Sequence, residues 1–127
     1  MIKFVYCVRK KKGASDEDFY RYWKENHGPL VKSFSDTMGS LKYVQSHTID
    51  SVLNEVGREV RGMRQAYDGI TEVWFESVEK LNKMLQTEAG KAANKALIED
   101  EATFCEFAEC SVFLTEEHTI FDRTGEA

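Results

Sequence analysis

One proline, three histidines and three cysteines in 127 residues leave little material for several familiar kinds of site. Cys7, Cys105 and Cys110 are odd in number and form no C-x-x-C, so no disulfide framework is implied. Along an extended strand Cys105 and Cys110 stand too far apart to bond, and the cysteines read as small buried hydrophobes. His27, His47 and His118 show neither H-x-H nor H-x-x-x-H spacing, so no metal site is expected. No apolar run approaches the ~18 residues that cross a bilayer, and no basic leader with an apolar core precedes the first strand. The expectation is a reduced, cytoplasmic protein with no membrane partner. Gly57 and Gly62 do not build a G-x-G-x-x-G, and there is no Gly-x-Ser-x-Gly, so neither a nucleotide cofactor nor covalent hydrolysis is indicated and no cofactor is expected. Positive charge is also short. The net charge is −5, and the only dense basic run, Arg9-Lys10-Lys11-Lys12, reads as a solvated turn, which argues against a nucleic-acid partner.

What is present suits one domain over residues 1–127, with a polar tail from about 117, because 42% hydrophobic residues can bury a core without staples. Ile2 to Arg9 is rich in β-branched and aromatic residues and reads as a strand. Ser15, followed by Asp16, Glu17 and Asp18, opens a helix that kinks or restarts at Pro29 and runs to about Ser35. Leu41 to Ile49 alternates as a second strand. From Asp50 to Asp68 the apolar positions are sparse, and a mobile loop with a short helix is expected. Ile70 to Glu76 is a third strand. Ser77 caps a helix, Gly90 separates it from a further helical piece through Ile98, and a last strand runs from about Phe104 to Thr115. The order β-α-β-β-α-β predicts an α+β, ferredoxin-like protomer: a four-stranded antiparallel sheet with helices on one face.

Both faces of the first and last strands are apolar. Ile2, Phe4, Tyr6 and Val8 alternate with Val5 and Cys7, and Phe107 and Phe113 lie opposite Phe104, Ala108, Cys110, Val112 and Leu114. A sheet that is apolar on both sides needs a second cover, so a homodimer packed sheet to sheet is expected, with room inside for a small apolar molecule.

The sharpest local feature is Phe19 to Val31. At about 100° per residue Phe19, Trp23 and His27 fall within about 80° of one another, so an aromatic stripe carries a group that titrates near neutral pH. Together Phe19-x-x-Tyr22-Trp23-x-x-x-His27-Gly28-Pro29-Leu30-Val31, Asp68-Gly69-Ile70-Thr71-Glu72-Val73-Trp74-Phe75, Asp100-Glu101-x-x-Phe104 and Thr115-Glu116-Glu117-His118 resemble the EthD family of dimeric α+β barrel proteins. That resemblance implies a ferredoxin-like protomer paired through its sheet. It also implies a kinship with proteins that dehydrate or decarboxylate aromatic polyketides, with cofactor-free monooxygenases and with lactone isomerases. Family members carry a general oxidoreductase assignment. The charged segment 51–67 is longer than the family pattern.

On the second strand Tyr43, Gln45 and His47 share one face, and on the third Ile70, Glu72 and Trp74 share another. If both faces line one cavity with His27, two imidazoles, a phenol and a carboxylate converge among aromatic rings, a set able to move protons on a ring or enolate. The catalytic candidates are His27, Glu72 and His47; the substrate-binding candidates are Tyr43, Trp74, Trp23 and Gln45. Each has a structural alternative. His27 can cap the last carbonyls of its helix, His47 and Glu72 can be surface or interface residues, and Trp23 and Trp74 can be plain core. Two functions fit: a cofactor-independent acid/base enzyme for a small aromatic, polyketide-like or lactone-like molecule, or a non-catalytic binder serving a degradative oxygenase system.

Overall fold

The structure, a computed structural model, describes residues 1–125; the last two residues of the expected tail, 126 and 127, lie outside the described residues. Four strands make one antiparallel sheet: β1 (Ile2–Val8), β2 (Ser40–His47), β3 (Gly69–Phe75) and β4 (Ser111–Thr115), in the order β2-β3-β1-β4. This is the ferredoxin-like arrangement, in which β1 sits between β3 and β4 because both of its neighbours arrive by crossovers. Register then sorts the residues by face. Ile2, Phe4, Tyr6 and Val8 stand opposite Phe75, Val73, Thr71 and Gly69, and all of these turn to the helices. Lys3, Val5 and Cys7 stand opposite Trp74, Glu72 and Ile70 on the outer face.

The first helical passage is continuous through the proline. Ser15 accepts from the Asp18 amide and opens α1 (Asp16–Tyr22), with three acidic residues in its first turn against the positive helix end. A π-helical turn, Trp23–His27, follows, and α2 (Gly28–Ser33) carries Pro29 in its first turn. A proline inside a helix cannot donate to the preceding turn and crowds it, and the wider π turn absorbs that defect by bonding the Gly28 amide to the Trp23 carbonyl. A short α3 (Ser35–Met38) ends on Gly39 at φ +71°, so the passage extends a few residues beyond Ser35.

One expectation is sharpened and another corrected. Residues 50–68 hold a well-capped helix, α4 (Val52–Arg61), with the Ser51 hydroxyl accepting from Leu53 and Gly62 at φ +64° closing it. Val52, Val56 and Val60 recur every fourth residue, a stripe that the glycine and arginine interruptions obscured. The last strand is also shorter than expected. After α5 (Val78–Gln86), α6 (Glu88–Phe104) runs far past Ile98, and a 3₁₀ turn (Phe107–Glu109) separates it from β4. Phe104 is the last helical residue rather than the first of a strand, because its ring is buried against Phe19 and Tyr22. Among the described residues no helix is long and apolar enough to cross a membrane.

The core lies between the sheet and these helices in two clusters. One gathers Tyr6, Val8, Phe19, Trp23, Phe104 and Cys105; the other gathers Met38, Val73, Phe75, Leu81 and Ala93. Gly69 is what lets Trp23 lie flat on the sheet, since a Cβ there would stand 2.6 Å from the indole and 2.5 Å from the Ser46 carbonyl oxygen. The outer face is apolar in part, with Val5, Val44, Ile70, Trp74 and Phe113 around a Lys3–Glu72 ion pair of 2.6 Å.

Candidate active site

A cavity of about 150 Å³ lies between the two core clusters, walled by Phe4, Tyr6, Trp23, Tyr43, Phe75 and Phe104, among others. A void of that size admits a benzene-sized ring. His27, only 5% exposed, and Glu101 bring the polar chemistry to this wall.

The imidazole is held from behind. His27 Nδ1 stands 2.7 Å from Asp100 Oδ2, and the other oxygen of that carboxylate accepts from the Tyr22 hydroxyl at 2.5 Å. With the Asp100 carboxylate as its partner, Nδ1 carries the proton and donates, which leaves the Nε2 lone pair free. Nε2 faces Glu101 Oε2 at 3.9 Å, too long for a hydrogen bond and short enough for a bridging substrate atom or water. The Phe104 ring, 5.0 Å away between centroids, closes the side of the imidazole.

Burial sets the protonation states. It lowers the His27 pKa below its ordinary 6.5 and outweighs the Asp100 carboxylate, which acts to raise it, so the ring is neutral at pH 7. The same desolvation pushes the Glu101 carboxyl up to about 7, against the Tyr6 hydroxyl, which favours the ionised form. The Tyr6 phenol is raised by its burial and by the Glu101 charge, and the Tyr43 phenol by burial, so both are proton donors. The arrangement therefore offers a base at Nε2, a carboxyl half-protonated near neutrality and two phenolic donors in an apolar enclosure.

Of the residues singled out from the sequence, His27, Trp23 and Tyr43 line the cavity. Gln45 stands behind them: its amide nitrogen donates to the Trp23 carbonyl at 2.8 Å and to the Tyr43 hydroxyl at 2.7 Å. His47 continues that chain, with Nε2 2.8 Å from Gln45 Oε1 and its ring stacked on Trp23 at 4.5 Å. It supports the indole from outside the cavity wall, and burial followed by the Lys24 charge lowers its pKa. Glu72 and Trp74 are not brought to His27. Both occupy the outer face of the sheet, where Glu72 pairs with Lys3 and the Trp74 indole donates to Glu117 at 2.6 Å. Alternation fixed their shared face correctly, but β3 turns its other face, Thr71 and Val73, toward the helices.

The carboxylates at the site come from α6 instead. A sequence signal for them existed: Ala93, Leu97, Glu101 and Phe104 recur at helical spacing, so Glu101 is an acidic residue within an apolar stripe. Ending that helix at Ile98 hid it.

The four-stranded antiparallel sheet, with a cavity between it and its helices, puts the chain in the class of ferredoxin-like α+β proteins. Within that class the chain belongs to the EthD family: the EthD domain profile matches residues 11–108. An ethyl tert-butyl ether D (EthD) family protein from Bacillus halodurans C-125 shares the fold with a TM-score of 0.62 and 19% identity, over 93% of this chain and 99% of that one. An EthD-like protein from Ralstonia eutropha JMP134 matches at 0.57 and 15%, over 98% and 96%. A dimeric protein of unknown function and ferredoxin-like fold from Bacteroides fragilis NCTC 9343 matches at 0.57 and 8%, over 91% and 95%. No curated protein matches the sequence.

The raised Glu101 pKa fixes a sign. The folded state keeps its proton from the ordinary 4.5 up to about 7, where the unfolded chain has lost it, so Glu101 reduces stability progressively as pH rises through that window. Glu101→Gln removes this loss. Measured by urea unfolding, the variant is expected to gain about 2–3 kcal/mol on wild type between pH 4.5 and 8, with little difference at the acid end. A difference that does not grow with pH contradicts the buried-carboxyl assignment.

Proposed function

We propose that the chain is a cofactor-independent enzyme that moves protons on a small aromatic, polyketide-like or lactone-like molecule. One observation carries the reading: His27 Nε2 and Glu101 Oε2 meet 3.9 Å apart on the wall of an apolar cavity, where burial lowers the His27 pKa and raises that of Glu101 to about 7. In the cycle His27 Nε2 accepts a proton from an acidified C–H or hydroxyl of the substrate. Protonated Glu101 returns one to a developing enolate, or to a departing hydroxide in a dehydration. Tyr6 and Tyr43 donate hydrogen bonds to the carbonyl or phenol oxygen that gathers charge. Asp100 keeps the imidazole in the tautomer that aims its lone pair inward, and Tyr22 fixes Asp100.

A substrate found by thermal-shift screening of small phenols, aromatic ketones and lactones provides the assay. His27→Ala is expected to retain ligand affinity within a few-fold while turnover falls by roughly 10²–10⁴. The wild-type rate is expected to fall on the acid side as His27 protonates below 6.5 and on the alkaline side near 7 as Glu101 ionises, and Glu101→Gln to erase the alkaline limb. Undiminished turnover in His27→Ala contradicts the role given to His27, whereas ligand binding without turnover by the wild type favours a binder that serves an oxygenase system.

The same proposal includes a homodimer closed through the outer sheet face. It is supported by the partly apolar surface formed by Val5, Val44, Ile70, Trp74 and Phe113, and by the kinship with a ferredoxin-like protein described as dimeric. Sedimentation at micromolar concentration is expected to report twice 14.6 kDa, and Ile70→Asp to return the protein to the single-chain mass. A wild-type protein that sediments as a single chain contradicts the dimer.

A further inference from the structure

The cavity that holds His27 and Glu101 shares part of its wall with a groove on the surface. Val31, Ser40 and Tyr43 line both, so these three side chains form the partition between the ring-sized void and the groove. Two other surface clefts, one around Lys10 and Arg58 and one around Arg64 and Cys110, share no residue with the cavity. The groove follows β2, the edge strand of the sheet, where that strand runs beside α2. Hydrogen bonds tie the strand to the helical passage at both ends of this stretch. Gln45 Nε2 donates to the Trp23 carbonyl at 2.8 Å, and the Ser40 hydroxyl donates to the Ser35 carbonyl at 3.3 Å. Between those ties no hydrogen bond among the described residues joins α2 to β2.

In charge the groove is the reverse of the molecule. The chain carries −5 overall, yet the charged residues that line this groove are Lys24, Lys32 and Lys42, and none that lines it is acidic. All three lysines are exposed. Among the described residues no carboxylate forms an ion pair with any of them. The Lys42 ammonium lies 4.8 Å over the Trp74 ring, and its charge reaches Glu117 on the outer face, which leaves Lys24 and Lys32 as the two uncommitted cations. The cleft around Lys10 is different, because Asp16, Asp50, Glu55 and Asp68 stand among its cations.

We infer that the cavity is entered between α2 and β2, past Val31, Ser40 and Tyr43, and that its ligand is an aromatic carboxylate whose charge rests at this mouth against Lys24 and Lys32. The mouth and its charge narrow the substrate proposed above, and they rest on that reading of the cavity. A carboxylate loses too much hydration to follow its ring into an apolar void. Inside it would also meet Glu101, which lines the cavity and not the groove. At the mouth it stays wet and faces two unpaired ammonium groups, while the ring fills the void beside His27. Exposed lysines hold an anion weakly, so their larger effect is on approach: they draw it to a groove that leads inward, against the repulsion of the net charge.

The test titrates the ¹⁵N-labelled full-length protein at pH 7 with 3-phenylpropanoate and, separately, with its neutral isostere 3-phenylpropanamide. Both are expected to shift the amide signals of Tyr43 and Phe104. The acid is expected to bind about tenfold tighter at low salt, and the two about equally in about 0.5 M sodium chloride. Lys24→Glu/Lys32→Glu is expected to abolish the preference while 3-phenylpropanamide keeps its affinity. Lys83→Glu/Lys91→Glu, the same change of charge on exposed residues outside the groove, is expected to retain most of it. Val31→Trp, which fills the partition from the helix side, is expected to slow the association of both compounds. The wild-type salt dependence carries the test by itself if a variant fails to fold by circular dichroism. Equal affinity for the two compounds at low salt, equal loss of preference in the two double variants, or unchanged association in Val31→Trp overturns the inference and leaves the acid/base reading of the cavity standing. Failure of both compounds to shift the Tyr43 and Phe104 amides overturns it together with that reading.

Discussion

Desolvation of the last three turns of α6 against the π turn Trp23–His27 is the constraint on which the structure depends. Leu97, Asp100, Glu101 and Phe104 share that helix, so the ring that completes the aromatic cluster cannot be buried without drawing two carboxylates inward with it. A buried carboxylate is costly unless it is paired or protonated, and the two solutions are used side by side. Asp100 is paired with His27 and Tyr22, whereas Glu101, without a cation, keeps a proton up to about 7. The unequal treatment of neighbouring residues is what separates an orienting group from an acid.

The remaining elements hold His27 where that division can matter. The π turn lets one passage cross Pro29 while Phe19, Trp23 and His27 all stay buried. It gives the Trp23 carbonyl two donors, the Gly28 amide and Gln45, so β2 is tied to the helix at the point where the helix is irregular. His47 stacks on the far side of the indole, and Gly69 removes the side chain that would otherwise lift it off the sheet. Tyr43, Gln45 and His47 thus form a polar strut whose inner end, the Tyr43 hydroxyl, reaches the cavity.

Much of the fold was legible because period-two strands and capped helices state themselves locally: Ser15 and Ser77 each cap the helix that follows. The stripe Phe19, Trp23, His27 was legible for the same reason. What failed was phase and length. Nothing local shows which face of β3 meets the helices, so Glu72 and Trp74 could not be assigned to a side until β1 fixed the register. Nor do the apolar residues between Phe104 and Thr115 reveal that Phe104 ends a helix, since its burial depends on Phe19 and Tyr22 more than eighty positions earlier. That single boundary concealed that Asp100 and Glu101 turn inward on the same helix.

The tautomer of His27 tests the central claim most directly. In protein labelled with ¹⁵N-histidine at pH 7, His27 is expected to show a neutral ring with its proton on Nδ1 and an unprotonated Nε2, the arrangement that Asp100 and burial impose. A ring protonated on both nitrogens, or one carrying its single proton on Nε2, would leave no base facing Glu101 and contradict the account.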